Sequence, residues 1–347
     1  MDEQQIEEFV FQVVADVGAC MSGPLVLIGD RLGLWSAIAD RESVTSATLA
    51  LATDIDERYC REWLAAMAAS RYVDFDGDDG FSMNVAQQLV FSNPESPVYL
   101  QGAFGISQSG WVDEERISEA FKSGEGMPWG DHSECLFTGT ARFFRPAYVH
   151  HLVQEWMPAV PGMVERLERG GRLADIGVGL GESTVVMAKA FPDATFVGFD
   201  NHEASIAQAK ELAKREAVSN VSFHVADAKG IDGTYDYVSL FDCLHDMGDP
   251  QGVIEGALAR LSSGGRVMLV EPFANDELAD NLTLVGRVMY SASTFLCVPN
   301  ALSQAGGESL GAQAGEARLR RIAEAAGASS FERVAETPFN IVYAIGA

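Results

Sequence analysis

The sequence predicts an α/β protein: a Rossmann-like, doubly wound sheet behind an N-terminal, mostly helical winged-helix domain. Three observations predict it. From residue 172 onward, apolar runs of strand length alternate with helical stretches. The first of those runs ends in a glycine-rich turn, ADIGVGLGES, that leads straight into a helix. Ahead of them, before residue 95, helical segments precede two short strand-like runs around a DGDDG turn.

The N-terminal elements come first. Residues 5–20 place Ile6, Phe9, Val10, Val13, Val14 and Val17 at helical spacing. A second helix is expected over 24–39. Residues 45–56 follow, and then a helix from 57 with Tyr59, Trp63, Leu64 and Met67 on one face. Residues 71–83 read as strand, turn and return strand, the wing. A winged helix raises the question of DNA binding, and its charges argue against it. Arg58 and Arg61 sit among Asp54, Asp56, Glu57 and Glu62, and the wing carries Asp74, Asp76, Asp78 and Asp79. Such a surface meets phosphates with like charge. Residues 1–95 are therefore read as a winged-helix dimerisation domain, with the apolar 5–20 helix as the dimer surface.

Residues 96–160 read as a helical linker and substrate lid, rich in Gly, Ser and aromatics around 123–144. Trp129, His132, Phe137, Phe143 and Phe144 are candidates to line a pocket, although any one of them also fits a core position.

Composition narrows the class. The 347 residues are 47% hydrophobic and 21% charged, as in ordinary globular chains. Fifty acidic residues against 24 basic ones give a formal net charge of −26, which opposes nucleic acid and anionic membrane alike. No basic segment precedes an early apolar one, and the apolar runs read as shorter than a membrane span. Five scattered cysteines, at 20, 60, 135, 243 and 297, have no CxxC spacing and suit a reducing cytoplasm. The six histidines show no ligand spacing, so no metal is expected.

Residues 161–347 carry the sheet. Strands are expected at 172–177, 195–200, 221–227, 235–242 and 265–272, with helices at 182–191, 202–217 and 250–261 between them, and a closing hairpin over 331–346. Residues 273–330 form an insert. In such sheets ligands sit at the carboxyl ends of the strands.

The glycine turn says which ligand. Gly177, Gly179 and Gly181 alternate after Asp175, and a dinucleotide fingerprint would place its last glycine at 182, where the chain has Glu. A carboxylate at that helix start repels a pyrophosphate. The residues favour a nucleoside-like ligand without phosphate but with a cationic group, which Asp175 can orient. S-adenosylmethionine has that character. Asp200, nineteen residues after Gly181 and followed by Asn201, can accept from ribose hydroxyls. Asp227 can accept from an adenine amino group, with the Ala228 N–H beside it. Phe241 and Asp242 end the fourth strand. Each aspartate alone also fits a helix cap or a solvated strand end.

These motifs resemble those of class I S-adenosylmethionine-dependent methyltransferases, whose glycine motif ADIGVGLG matches. Nearly the whole chain is similar to a bacterial subfamily with an N-terminal winged-helix domain, typified by a mycobacterial protein. GDRLGLWSAIAD, ERYCREWLAAMAAS, FDCLHDMGDP, FLCVPNALSQ and GAQAGE carry the likeness. Val178 departs from the small residue common there. The resemblance implies a seven-stranded methyltransferase sheet and S-adenosylmethionine as cofactor.

FDCLHDMGDP, 241–250, follows strand four. His245 is the candidate general base, oriented by Asp246 or Glu271. The segment also resembles a C-H-D-W-S-D stretch of plant-type O-methyltransferases, which implies the same role for His245. Met247, with Met289, Tyr290, Phe295 and Asn300 of the insert, joins Trp129, His132 and Phe144 as candidates to contact the acceptor. The expected activity is methyl transfer to an oxygen or nitrogen of a small, partly apolar molecule, in a homodimer. The alternative is a non-catalytic or ligand-sensing regulatory protein that binds the same cofactor.

Overall fold

A computed structural model describes residues 2–347. The chain forms two compact units: residues up to Gln108 with Thr138–Pro146, and Ser109–Phe137 with Ala147–Ala347. The stretch 96–160 is thus shared between them.

The first unit begins with a single helix, Glu3–Arg31, capped by the Asp2 side chain, where the sequence suggested two. Pro24 removes one backbone donor without ending the helix. The break comes at Leu32 and Gly33, and a short helix Leu34–Ala39 follows. Ile6, Phe9, Val10, Phe11, Val13, Val14, Val17 and Met21 are all exposed, Phe9 and Phe11 at 63%. By length and composition this helix is able to cross a membrane: an 18-residue window has a mean hydropathy of 1.6 and is 17% buried. That corrects the reading of the apolar runs as too short. Gly18, Ser22 and Gly23 interrupt the run of large side chains but not the helix.

Helices Ser46–Thr53 and Glu57–Ala69 and the wing complete the winged-helix pattern. The wing is β1 (Asp74–Phe75) paired antiparallel with β2 (Phe81–Ser82). The buried face of Glu57–Ala69 is Cys60, Trp63, Leu64 and Met67. Tyr59 lies one position off that face and is 76% exposed, contrary to expectation. Trp35 stacks on Phe91 at 4.6 Å and meets Trp63 edge-on at 4.8 Å. The two indole N–H groups donate to the carbonyls of Val26 and Leu25, so these large side chains are buried without an unpaired donor.

The second unit is built on seven strands: β3 (Arg172–Ile176), β4 (Thr195–Asp200), β5 (Val221–Val225), β6 (Tyr235–Phe241), β7 (Leu261–Pro272), β8 (Ser330–Glu336) and β9 (Asn340–Gly346). Their order is β5-β4-β3-β6-β7-β9-β8. The first five are parallel, and β9 runs antiparallel between β7 and β8. β9 is buried throughout, which explains its unbroken apolar run NIVYAIG. Helices Glu182–Ala190, Glu203–Arg215 and Pro250–Ala259 make the crossovers. The chain winds outward from β3 through β4 to β5, then returns to lay β6 and β7 on the other side. The carboxyl ends of β3 and β6 therefore flank the switch point where such sheets hold ligands.

The region 84–160 is more helical than expected, with Val85–Phe91, Gln101–Val112, Glu114–Ser123, Glu134–Ala147 and a π-helical stretch Tyr148–Trp156. The insert after β7 holds helices Leu278–Asn281 and Leu284–Ala292, a π turn Ser293–Cys297, and helices Val298–Leu302 and Glu316–Ala325.

Candidate active site

The glycine turn leaves β3 at the switch point. Gly177, Gly179 and Gly181 all have positive φ, at 74°, 50° and 84°. A side chain at Gly177 would strike Cys243, and one at Gly181 would strike Ala209 and Phe223. Space is open at Gly179. The turn thus packs against the protein at both ends and presents bare backbone in the middle.

Asp200 holds this turn, and Asp175 ties the strand before it to the helix after it. Asp200, at the end of β4, accepts from Gly179 N at 2.9 Å with one oxygen and from His202 N at 2.8 Å with the other. Burial pushes its carboxyl above the usual range. Asp175 is fully buried. Its oxygens accept from Ser183 (2.9 Å), Thr184 (2.7 Å) and Ser239 (2.9 Å). Burial pushes it up to about 6 against those three hydrogen bonds. Asp175 therefore ties β3 to β6 and to the helix start, where the sequence reading had it orienting a cation.

The other expected cofactor residues lie at neighbouring strand ends. Asp227 is exposed and accepts from Lys229 N at 2.9 Å, capping a short turn over Ala228–Gly230. Asn201 is exposed and Ala228 half-buried. Phe241 is buried, edge-on to Tyr148 at 5.5 Å. Asp242 adopts a left-handed φ of 48°, a strained conformation for a residue with a side chain. One of its oxygens takes the Asn340 amide at 2.7 Å; the other is buried with no partner. Burial, with the Glu271 charge adding to it, pushes Asp242 well above the carboxylate range.

His245 sits just beyond β6 on the turn Leu244–Asp246 and is 4% exposed. Its Nδ1 lies 2.5 Å from Glu271 Oε2 on β7, and its Nε2 lies 3.2 Å from Asp246 Oδ1. Glu271 Oε1 also accepts from Leu244 N at 3.1 Å. Burial by itself lowers the imidazole, but the Glu271 and Asp246 charges override it and hold His245 well above its ordinary value. The expected base thus lies between two carboxyl groups, one at each ring nitrogen. The sequence offered Asp246 or Glu271 as its partner, and the fold supplies both.

Cys297 was missed. It comes from the π turn of the insert, and one donor atom each from His245, Asp246 and Cys297 lies within 4.8 Å of the others. Burial pushes its thiol up to about 12. These residues are one cation's span apart although their sequence spacing shows no ligand pattern. Asp113 was missed too: buried, it pairs with His132 Nδ1 at 3.1 Å.

The expected acceptor residues divide. Met247 reaches the glycine turn, close to the space beside Gly177. Asn300 receives Trp129 N at 2.9 Å and donates to the Asp246 carbonyl at 3.1 Å, tying Trp129 to the His245 turn. Phe295 packs against Gly110. Met289 is half-buried. Tyr290 lines an open groove of about 490 Å³ with Leu278, Asn281, Leu282, Thr283, Arg287 and Ser291. Phe144 belongs to the first unit and meets Phe143 at 5.1 Å.

Comparison with known proteins agrees with this architecture. Residues 167–327 match a family model described as a methyltransferase domain, and residues 20–86 match an Rv2258c-like winged HTH domain. The chain is similar to the 27-O-demethylrifamycin SV methyltransferase of Amycolatopsis mediterranei, 36% identical over 41% of this chain and 48% of that protein. It is 26% identical to the ubiquinone biosynthesis O-methyltransferase of Acinetobacter baylyi over 45% of this chain and 61% of that one. The chain thus spans about half the length of the first relative and under two thirds of the second. Among solved structures, the mitomycin 7-O-methyltransferase MmcR superposes with a TM-score of 0.69 at 15% identity, covering 99% of this chain and 100% of its own. Human N-acetylserotonin methyltransferase gives 0.66 at 16%, over 97% and 98%. At these identities the solved structures share the fold.

Proposed function

We propose that the chain, which has a class I methyltransferase fold and matches a methyltransferase-domain model over 167–327 and an Rv2258c-like winged-helix model over 20–86, uses S-adenosylmethionine to methylate an oxygen or nitrogen of a small, partly apolar molecule. The glycine turn at the switch point, held by Asp200 and flanked by the half-unpartnered Asp242, carries this reading. Carboxylates there suit hydroxyl and ammonium donors, which S-adenosylmethionine has, and oppose the phosphates of a dinucleotide. Glu182 in the first turn of the following helix adds to that opposition.

When bound, S-adenosylmethionine supplies an electrophilic methyl group. The chain's own part is to bind and align. The backbone of 177–181 gives close approach, and Asp200 accepts from ribose hydroxyls. Asp227 and Ala228 flank the base, and the free oxygen of Asp242 takes a cationic donor. Glu271 and His245 fix the turn after β6, so Met247, Trp129 and Asn300 present one face to the acceptor. Alignment of this kind accounts for much of the rate in a direct displacement.

We also propose a homodimer through the exposed apolar face of Glu3–Arg31. The acidic wing makes DNA an unsuitable partner. The test is to incubate the protein with methyl-labelled S-adenosylmethionine and panels of phenols and amines, followed by mass spectrometry. A product heavier by one labelled CH₂ unit is expected. Cofactor binding without any product across both panels would favour the non-catalytic reading.

A further inference from the structure

A second carboxylate–histidine pair lies in the same unit as the His245 turn, on a segment separate from it. His132 is 6% exposed, with its Nδ1 3.1 Å from Asp113 Oδ2. Asp113 is itself buried and firmly held: the same oxygen accepts from Ser133 N (3.0 Å) and Ser133 Oγ (3.1 Å), and Arg116 pairs with the other. An Nδ1–H donated to Asp113 leaves Nε2 as an acceptor, and that Nε2 is buried with no partner. A buried imidazole lone pair left unmatched costs stability unless something else is meant to meet it.

The surrounding contacts tie this segment to residues next to the switch point. Trp129 is edge-on to His132 at 6.1 Å and to Phe137 at 5.9 Å. Phe137 stacks on His202 at 5.0 Å, two residues beyond Asp200. On the other side Trp129 N is anchored by Asn300, which also holds the Asp246 carbonyl. The segment 129–137 therefore meets the cofactor corner beyond β4 directly and the turn after β6 through Asn300.

We infer that His132, held by Asp113, accepts the proton of the methyl acceptor's hydroxyl; this rests on the proposed methyl transfer and goes beyond it by naming the base. As the acceptor oxygen bonds to the methyl carbon, its proton passes to His132 Nε2, and the electron pair of the broken methyl–sulfur bond stays on sulfur. Asp113 is the positioning residue, fixing the tautomer through Nδ1. The electrostatics agree in direction: burial lowers His132 despite Asp113, whereas the Glu271 and Asp246 charges raise His245 against its burial. The charged groups that face His132 are Asp113, Asp131, Asp246 and Arg116. A charged imidazole cannot begin as a base, and a neutral one can.

The experiment combines ¹⁵N-histidine NMR with turnover. On the full chain with S-adenosylhomocysteine bound, His132 is expected to be neutral at pH 7, protonated on Nδ1 and bare at Nε2. His132→Gln assigns its signals. An imidazolium at that pH, or a proton on Nε2, overturns the inference whether or not turnover is found. With a phenol that is methylated, kcat/KM should rise through a pKa below the ordinary histidine value. His132→Gln should lower it by roughly 10²–10⁴-fold with cofactor affinity unchanged. Asp113→Asn should lower kcat more than it changes KM. A limb that instead rises above neutrality, with His132→Gln fully active, would make His245 the base. A neutral, Nδ1-protonated His132 with no methyl transfer to any phenol counts against the reaction, whereas a charged His132 counts against the pair.

Discussion

His245 Nδ1 and Glu271 Oε2 stand 2.5 Å apart across the ends of β6 and β7, with both side chains at most 5% exposed. Two strand ends are joined here by an ion pair whose second face meets Asp246. Because His245 is held well above its ordinary value, the folded chain binds that proton more tightly than the unfolded one. Its stabilisation is complete below the unfolded histidine pKa and is lost as pH rises through the higher folded value. Thermal melts should therefore weaken on the alkaline side. Glu271→Ala should cost about 3–5 kcal/mol at neutral pH, since it strips buried His245 of the closer of its two carboxylates and Leu244 N of its acceptor. A melting temperature unchanged by Glu271→Ala would show that the pair does not hold the turn.

Asp175 gives a second pH signature. Its value of about 6 lies above the ordinary carboxylate value, so it favours the fold at acid pH. That contribution is lost as pH rises through about 6. Asp175→Asn, neutral and of the same shape, should keep or raise stability at pH 8. Asp175→Ala should lose about 2–3 kcal/mol, because Ser183, Thr184 and Ser239 lose their common acceptor. Denaturant melts of the two variants decide this. Equal losses in both would mean that the charge itself is needed.

Asp175 marks how far the sequence could be read. The sheet was legible because parallel strands buried on both faces leave unbroken apolar runs, and the turn because alternating glycines after a strand have few other uses. Asp175 was recognised as special, but its direction was not. The hydroxyls that capture it come from a helix start and from β6, and only the fold brings them together. Asp113 reads as part of a solvated acidic stretch with Glu114 and Glu115, and nothing nearby in the chain announces His132 as its partner. Cys297 likewise reaches His245 only through the insert's π turn. The first helix runs on through Pro24, where a second was expected to start.

The exposed N-terminal helix predicts association. Light scattering of the full chain should give the mass of a dimer, and Phe9→Asp with Val13→Asp should shift it to a monomer. An unchanged mass would remove this face from the interface. Flotation of the wild-type protein with lipid vesicles, in the absence of a dimer, would assign the face to a membrane instead.

Metal dependence is a further check, because His245, Asp246 and Cys297 are close enough to share a cation. Direct methyl transfer aided by a histidine base needs no metal, so EDTA treatment should leave turnover within about twofold. A larger loss restored by zinc would make the trio a metal centre and remove His245 from its positioning role.

The central claim is that the glycine turn and its carboxylates hold S-adenosylmethionine and not a dinucleotide. Titration calorimetry of the purified full chain tests it directly, with S-adenosylmethionine, S-adenosylhomocysteine and NAD as ligands. Both sulfur nucleosides should bind and NAD should not. Asp200→Ala should weaken that binding by about 1.5–3 kcal/mol, as charge-assisted hydrogen bonds to the ribose are lost. Micromolar binding of NAD, with no heat from S-adenosylmethionine, would contradict the account.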